Sequence, residues 1–312
     1  MEPTTPPALA SEPLALTPAP GHEDDFAALF PREPTLDLLA TGGTWFEGPA
    51  WTGEAEIVWS DVVGNRLLIW TPEQGAGILL EPSHHQNGHA IDSEGRLIAA
   101  SHGERAVVRR EHDGAWQILT DRHDGRRFNS PNDLVCDSQG AIWFTDPRYG
   151  IDKPEEGYGG TVEMDGARVY RLASDGTVTA VTEPHPGPNG LAFSPDESVL
   201  YLADSEAGHI LAFEVLDGGT RLGEPVTFAV LDPGPPDGIR VDGAGRVWSS
   251  CASGIQVFAA PGDGAPAERL GTVPLPLRTA NLAFGGPGRS TLAVTATSNL
   301  YRIETAVRGA HA

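Results

Sequence analysis

The sequence predicts an all-β protein, a six-bladed β-propeller whose four-stranded blades surround a central metal-binding channel. Three observations support this fold. A motif recurs six times, in which a polar residue beside Gly or Pro leads into an apolar strand, a turn and a second apolar strand. The motifs begin 40 to 57 residues apart, which suits a propeller blade. The apolar runs are short, rich in Val, Ile, Trp and Tyr, and bounded by turn residues, whereas a helix would show a 3.6-residue period.

Each motif in turn fits the first two strands of a blade. The third blade shows the remaining pair, because residues 167–172 and 177–181 are strand-like and are separated by a Ser-Asp-Gly turn. The stretch 35–40 precedes the first motif. We expect it to complete the sixth blade, since ring closure removes exposed sheet edges. The residues that lead the six motifs are, in chain order, Glu47, Asn87, Asn132, Asn189, Asp237 and Asn281.

The chain of 312 residues is interpreted as one domain with an N-terminal extension. Residues 1–25 are rich in Pro and acidic residues, which predicts a flexible arm, and residues 26–312 are assigned to the propeller. The arm lacks the basic residues and apolar stretch of a signal peptide, so we expect a cytoplasmic protein. Cys136 and Cys251 each lie in an apolar stretch, which predicts small core residues rather than a redox pair.

The net charge of −22 limits the classes of partner. Nucleic-acid binding depends on neutralising phosphates with Lys and Arg, and the sequence has no cluster of these residues. No apolar run approaches the roughly 20 residues that cross a bilayer. We therefore expect a small-molecule substrate, no nucleic-acid or membrane partner, and a monomer or homodimer.

Six oxygen-bearing side chains are predicted to converge at one rim of the channel, because the first strand of each blade lines it. Taken singly, Asn or Asp before Gly is typical of a turn. Taken together, however, all six leading residues carry a carbonyl or carboxylate oxygen, and none is Cys or His. This set favours a hard cation. Ca²⁺ takes about 6–8 oxygen ligands, and Mg²⁺ and Mn²⁺ are alternatives.

The loops after the second strands are predicted to surround the same rim. The longest, residues 147–160, is rich in Gly and Tyr and fits either a flap over a pocket or a surface insertion. Asp133 directly follows Asn132, one of the six leading residues, and His89 and Arg148 are expected to lie within reach of the pocket. The residues that end second strands, and that either face the pocket or bond to loop backbones, are Asp61, His102 and Asp204.

Several segments together resemble the SMP-30/gluconolactonase/luciferin-regenerating-enzyme family, in a form close to the bacterial gluconolactonases. The resemblance covers about residues 35–305. One departure is Ser130-Pro131, because animal members carry a substrate-binding arginine at that place. The segments that carry the resemblance are Glu-Gly-Pro-Ala-Trp at 47–51, Asn-Ser-Pro-Asn-Asp at 129–133, and residues 143–150, 188–196 and 236–242.

The resemblance implies one catalytic divalent cation, Ca²⁺ or alternatively Mg²⁺, Mn²⁺ or Zn²⁺, bound by Glu47, Asn132, Asn189 and Asp237. The implied reaction is hydrolysis of a sugar lactone, such as D-glucono-1,5-lactone to D-gluconate. The cation would polarise the lactone carbonyl and position water, and Asp237 would be the general base. The residues then expected to contact the substrate are Asn87, His89, Asp133, Arg148 and Tyr149.

Two other functions fit the same residues. A phosphotriesterase of the diisopropyl-fluorophosphatase type would use a cation of this kind to polarise a phosphoryl oxygen instead. A non-catalytic propeller would hold the cation for structure and bind a protein or sugar on its rim. An enzyme and a non-catalytic propeller would differ at the cation. A catalytic ion keeps an open position that faces a pocket, whereas a structural ion is enclosed by protein.

Overall fold

The computed structural model describes residues 8–261 and 266–311 and confirms the six-bladed propeller. Each blade is an antiparallel sheet of four main strands, and in blades 1 to 5 these follow one another in sequence from the channel outwards. Within the described residues, no helix is long and apolar enough to cross a membrane.

The first three blades follow one another along the chain. Blade 1 consists of Phe46–Thr52, Glu56–Asp61, Arg66–Thr71 and Gly75–Leu80. Blade 2 consists of Gln86–Ile91, Leu97–Ser101, Ala106–Arg110 and Trp116–Thr120. Blade 3 consists of Leu134–Cys136, Ile142–Thr145, Val169–Leu172 and Val178–Ala180. A small hairpin, Arg122–His123 with Arg126–Arg127, joins blades 2 and 3.

The other three blades carry additional short strands. Blade 4 consists of Pro188–Phe193, Val199–Asp204, His209–Leu216 and Val226–Val230, with Arg221–Leu222 at its edge. Blade 5 consists of Ile239–Val241, Val247–Cys251, Gly254–Phe258 and Arg269–Pro274. Blade 6 consists of Thr279–Gly285, Thr291–Ala296, Asn299–Glu304 and Thr35–Thr41, with the 3₁₀ turn Pro287–Arg289 between its first two strands.

The ring closes as the sequence predicts. The strand Thr35–Thr41 pairs antiparallel with Asn299–Glu304, so the outer strand of the last blade comes from the beginning of the chain. This pairing joins the two ends of the propeller through backbone hydrogen bonds within blade 6.

Aromatic side chains on the second strands hold neighbouring blades together. Trp143 of blade 3 packs edge-on against Phe193 of blade 4, with ring centroids 5.4 Å apart. Trp248 of blade 5 packs in the same way against Phe284 of blade 6, also at 5.4 Å. Both tryptophans are fully buried. Burial of one such side chain stabilises the fold by on the order of 3 kcal/mol, so these contacts fix the first strands that line the channel.

The N-terminal segment differs from the flexible arm expected over residues 1–25. Residues 1–7 lie outside the described residues. From there, Ala10–Pro13 pairs with the outer strand of blade 6, and Thr17–Pro18 pairs with the outer strand of blade 5. The short helix Glu23–Ala27 follows. The segment therefore lies across the outer edges of two adjacent blades.

Single apolar side chains explain this docking. Phe26 is fully buried against Gly271, where a side chain on the glycine would overlap the ring, and Leu14 belongs to the same apolar cluster. Phe30 extends the contact to Trp248, with ring centroids 5.8 Å apart. Composition averages these few anchors with the surrounding Pro and acidic residues, and so it conceals them.

Candidate functional site: a ring of carboxylates and amides at one channel mouth

Glycines bring the first strands close enough for their leading side chains to meet. A Cβ on Gly88 would lie 2.3 Å from Asp133 Oδ1, and one on Gly190 would lie 2.4 Å from the backbone oxygen of Asp237. Gly190 N donates to that oxygen at 3.1 Å, which joins blade 4 to blade 5. Four of the six leading residues are followed by a glycine, and each of these glycines is needed because the next blade occupies the space of a side chain there.

Four of the six leading side chains form a continuous chain of hydrogen bonds around the rim. Asn87 Nδ2 donates to Asn132 Oδ1 at 2.7 Å, and Asn132 Nδ2 donates to Asn189 Oδ1 at 2.6 Å. Asn189 Nδ2 donates to Asp237 Oδ1 at 2.7 Å. All four residues are buried. Every amide in the chain is thus oriented by the next residue, and the chain ends on a carboxylate.

Two buried carboxylates, Glu47 and Asp237, share this rim. Burial raises the pKa of Glu47 well above its ordinary value, and the neighbouring Asp237 raises it further. Burial also raises the pKa of Asp237 to about 7, although Arg278 opposes the shift. Among the described residues neither carboxylate forms an ion pair within 4 Å. Two such acids are costly to bury together unless a cation neutralises them.

The donor set fits a hard divalent cation. Glu47 and Asp237 supply carboxylate oxygens, and Asn132 and Asn189 supply amide oxygens, all at one rim. In the described part of the chain no group of three His, Cys, Asp or Glu converges, so the set is distinguished by its amides. Oxygen-only ligands with a net charge of about −2 suit Ca²⁺, Mg²⁺ or Mn²⁺ better than softer metals.

His102, which sequence analysis left undecided, connects the ring to the long loop above it. Its Nε2 lies 3.0 Å from Asn132 Oδ1, and its Nδ1 lies 3.1 Å from the backbone oxygen of Glu156. The side chain is fully buried, and burial lowers its pKa to about 4. A neutral imidazole touches a proposed ligand on one side and the loop on the other.

The leading side chains Glu47, Asn87, Asn132, Asn189 and Asp237 form a ring at the floor of an open polar cavity of about 330 Å³. The long loop covers one side, and within it the structure forms two short helices, Tyr149–Asp152 and Pro154–Gly157. Tyr149 and Asn87, two of the residues expected to contact the substrate, line the cavity. The lining residues that sequence analysis did not identify are Trp45, Lys153, Glu156, Ser205, Glu206, Pro235 and Arg278.

The overlooked residues lie next to predicted positions. Trp45 is two residues before Glu47, and Ser205 and Glu206 directly follow Asp204 at the end of a second strand. Arg278 lies three residues before Asn281, and its guanidinium stacks over the Trp45 ring at 5.4 Å. Extending each predicted rim position by three residues along the chain would have found these four residues and Pro235, but not Lys153 or Glu156 of the long loop.

Two predicted substrate contacts lie deeper in the channel. His89 is buried, and its Nδ1 is 2.6 Å from the backbone oxygen of Gly48. Asp133 is buried too, and its Oδ2 lies 3.5 Å from Arg240 and 3.4 Å from Asn281 Nδ2. The reason is the two-residue period of a strand, which carries successive side chains away from the rim. Neither is among the lining residues of the rim cavity.

Arg148, another predicted substrate contact, points away from the cavity. Its side chain is 51% exposed and pairs with Asp152 at 2.8 Å on the outer surface of the loop. Asp61 and Asp204 bond to loop backbones, with Asp61 accepting from Thr44 N and Trp45 N at 3.0 Å each. Asn281 stands off the ring, because its amide reaches Asp133 and its Oδ1 accepts from Leu282 N.

Comparison with known proteins places the chain among lactone-acting families. The profile of the SMP-30/Gluconolactonase/LRE-like region matches residues 45–298. A gluconolactonase of Zymomonas mobilis is 31% identical over 304 residues, covering 88% of this chain and 82% of that protein. A pentonolactonase of Haloferax volcanii is 32% identical over 259 residues and covers 80% of each chain.

A solved structure agrees with both fold and sequence. A gluconolactonase from Xanthomonas campestris superimposes with a TM-score of 0.87 at 36% identity, covering 96% of this chain and 98% of that one. The match of the family profile includes all six leading residues and the long loop. The chain therefore belongs to the SMP-30/gluconolactonase/LRE-like family.

Proposed function

We propose that this protein is a metal-dependent lactonase that hydrolyses a sugar lactone, with D-glucono-1,5-lactone converted to D-gluconate. The observation that carries the proposal is the pair of buried carboxylates, Glu47 and Asp237, set among amides at the floor of an open polar cavity. Related proteins named gluconolactonase and pentonolactonase support the substrate class.

The proposed cation is Ca²⁺, with Mg²⁺ or Mn²⁺ as alternatives, held by Glu47, Asn132, Asn189 and Asp237. When bound, it would polarise the ester carbonyl and acidify a water molecule. Glu47 would offset much of its charge, and the two neutral amides would position it without further neutralisation. The cavity above the ring leaves room for water and substrate on the open side.

Asp237 is proposed as the general base. Asn189 Nδ2 donates a hydrogen bond to Asp237 Oδ1 at 2.7 Å. This bond orients the carboxylate and leaves Oδ2 for the attacking water. Ser205 in turn fixes Asn189, because its Oγ accepts from the same amide nitrogen at 3.0 Å and donates to the backbone oxygen of Pro236 at 2.6 Å. A carboxylate held in this way accepts a proton within hydrogen-bond reach.

The cavity walls suit a polyhydroxylated substrate. Trp45 presents an aromatic face, against which the C–H face of a sugar ring can pack. Glu206, Lys153 and Arg278 supply charged hydrogen-bonding groups around it. Arg278 has no ion pair among the described residues, so its donors are available to substrate oxygens.

Chelation and metal addition test the proposal. The metal is removed with a chelator, Ca²⁺, Mg²⁺ or Mn²⁺ is added singly, and acid release from D-glucono-1,5-lactone is followed above its spontaneous hydrolysis. We expect metal-restored hydrolysis, and a fall in kcat of at least about 100-fold in Asp237→Asn. Asp133→Asn is the matched control in the same channel, and it should retain most of the activity.

Two results would contradict the proposal. Metal-independent hydrolysis would remove the role of the cation. Cation binding without hydrolysis of any sugar lactone would favour phosphotriester substrates, or a propeller that holds the cation for structure alone.

A further inference from the structure

The Tyr149 hydroxyl is a buried polar group without a hydrogen-bond partner among the described residues. It lines the cavity above the ring, together with Asp237, Asn189 and Ser205. A buried phenol normally finds a partner, and an unmade hydrogen bond costs about 1–3 kcal/mol. An unpaired hydroxyl at a cavity wall therefore indicates a group that bonds to whatever occupies the cavity.

The surrounding residues hold the Tyr149 ring in place. Lys153 Nζ lies 5.6 Å from the ring centroid, and Lys153 N donates to the backbone oxygen of Tyr149 at 2.9 Å. Gly187 makes room for the hydroxyl, because a Cβ there would lie 3.0 Å from Tyr149 Oη. The short helix and the glycine thus fix where this hydroxyl points.

The Tyr149 hydroxyl donates to no acceptor among the described residues, so its proton is available to a substrate. The neighbouring Ser205 Oγ already donates to Pro236 and accepts from Asn189, so its own hydrogen is committed. Burial raises the pKa of Tyr149 above its ordinary value, and the charge of Asp237 raises it further, so the phenol keeps its proton at neutral pH. A retained proton at the cavity wall suits an acid rather than a nucleophile.

Lactone hydrolysis needs such an acid. When the ring opens, the ring oxygen leaves as an alkoxide, which is a poor leaving group unless it is protonated. Asp237 lies on the side of the attacking water and accepts the proton of that water, so it cannot protonate the ring oxygen at the same time. We propose that Tyr149 is a catalytic residue that donates its phenolic proton to the departing ring oxygen of the lactone. This inference rests on the proposed lactonase function.

The protons balance over one turnover. Water forms the new bond to the carbonyl carbon and gives one proton to Asp237. The bond from that carbon to the ring oxygen breaks, the electron pair stays on the oxygen, and this oxygen takes the Tyr149 proton. Asp237 returns its proton to the tyrosinate, and the carboxylic acid product ionises in solution. Asn189 bonds both Asp237 and Ser205, which links the two sides of the cavity.

The test compares D-glucono-1,5-lactone with 5-thio-D-glucono-1,5-lactone, in which sulfur replaces the ring oxygen. A thiolate leaves without protonation, because its conjugate acid is far more acidic than an alcohol. We expect Tyr149→Phe to lower kcat for the lactone at least about 100-fold and kcat for the thiolactone less than about threefold. Tyr158→Phe is the control, since its hydroxyl bonds Asn65 at 2.9 Å outside the cavity, and it should change neither.

Each other result overturns the inference. An equal loss for both substrates would make Tyr149 a binding or structural residue, and no loss for either would remove it from the reaction. A wild-type enzyme that hydrolyses the lactone but not the thiolactone would contradict the leaving-group argument. A wild-type enzyme that hydrolyses neither would overturn the proposed function and this inference together. Thermal unfolding of each variant separates these outcomes from misfolding.

Discussion

The two ends of the channel are built from the same strands, but they differ in whether their buried acids are paired with a basic side chain. At the rim, Glu47 and Asp237 are buried without an ion pair among the described residues, below a polar cavity of about 330 Å³. Further along the channel, Asp133 is paired with Arg240, and the adjoining cavity is only about 60 Å³. Trp51, Leu191 and Phe284 are among the residues that line this smaller cavity.

The difference fits the proposed role of the rim as a catalytic site and of the deeper ion pair as part of the fold. A buried acid that already has its cation, as Asp133 has Arg240, contributes to the fold and has little left to offer a ligand. A pair of buried acids without one is unstable until something positive arrives. Burial and residue type are alike at the two ends, so the presence or absence of a compensating charge is what distinguishes them.

The largest effect on stability is expected from Arg240→Met. The substitution leaves Asp133 buried and unpaired, which should lower the free energy of unfolding by about 3 kcal/mol. Asp133→Asn in the Arg240→Met background should recover much of that loss, because no buried charge then remains. Urea unfolding of the cation-free protein measures both. Additive losses in the double variant would show that the pair is not coupled.

A moderate effect on substrate binding is expected at the rim, where two arginines can be compared. Arg278→Ala should raise KM about tenfold, because it removes a charged donor from the cavity wall. Arg148→Ala should leave kcat and KM within about twofold, since its exposed pair with Asp152 is screened by solvent. Steady-state kinetics on one lactone checks both. A larger effect of Arg148 than of Arg278 would reverse this assignment.

Sequence periodicity was sufficient for the ring but not for the cavity walls. The motif repeats place Glu47, Asn132, Asn189 and Asp237 at equivalent points of successive blades, so blade geometry alone brings them together. The long loop repeats nothing. Lys153, between its two short helices, lines the cavity, whereas Arg148, before the first helix, is exposed. Helices of four residues each are too short to show a periodic face.

The motifs also did not predict how deep in the channel a side chain lies. His89 and Asp133 adjoin rim positions in sequence, yet each step along a strand moves a side chain by about 3.3 Å and changes its direction. Arg240, which pairs with Asp133, comes from blade 5, and that contact depends on packing across the channel. The N-terminal segment shows the same limit, because Phe26 docks on a distant strand that no local pattern specifies.

The pH dependence of stability, measured with and without Ca²⁺, is the most direct test of the proposed cation site. The pKa of Asp237 is raised to about 7 in the folded state and is ordinary in the unfolded state. Between about pH 4 and 7 the folded protein therefore binds more protons than the unfolded chain, so the stability contributed by this group is lost as pH rises through that window. Burial raises the pKa of Glu47 as well, which adds to the loss.

At pH 7 we expect Ca²⁺ at about 100 times its Kd to add about 2.7 kcal/mol, roughly 5 °C in Tm, and to abolish the decline with pH. Glu47→Gln should be at least as stable as the wild type without Ca²⁺ but should not respond to it, because its amide removes one buried charge and one ligand. A wild-type Tm that neither falls with pH nor rises with any divalent cation would contradict the assignment of this ring as a cation site.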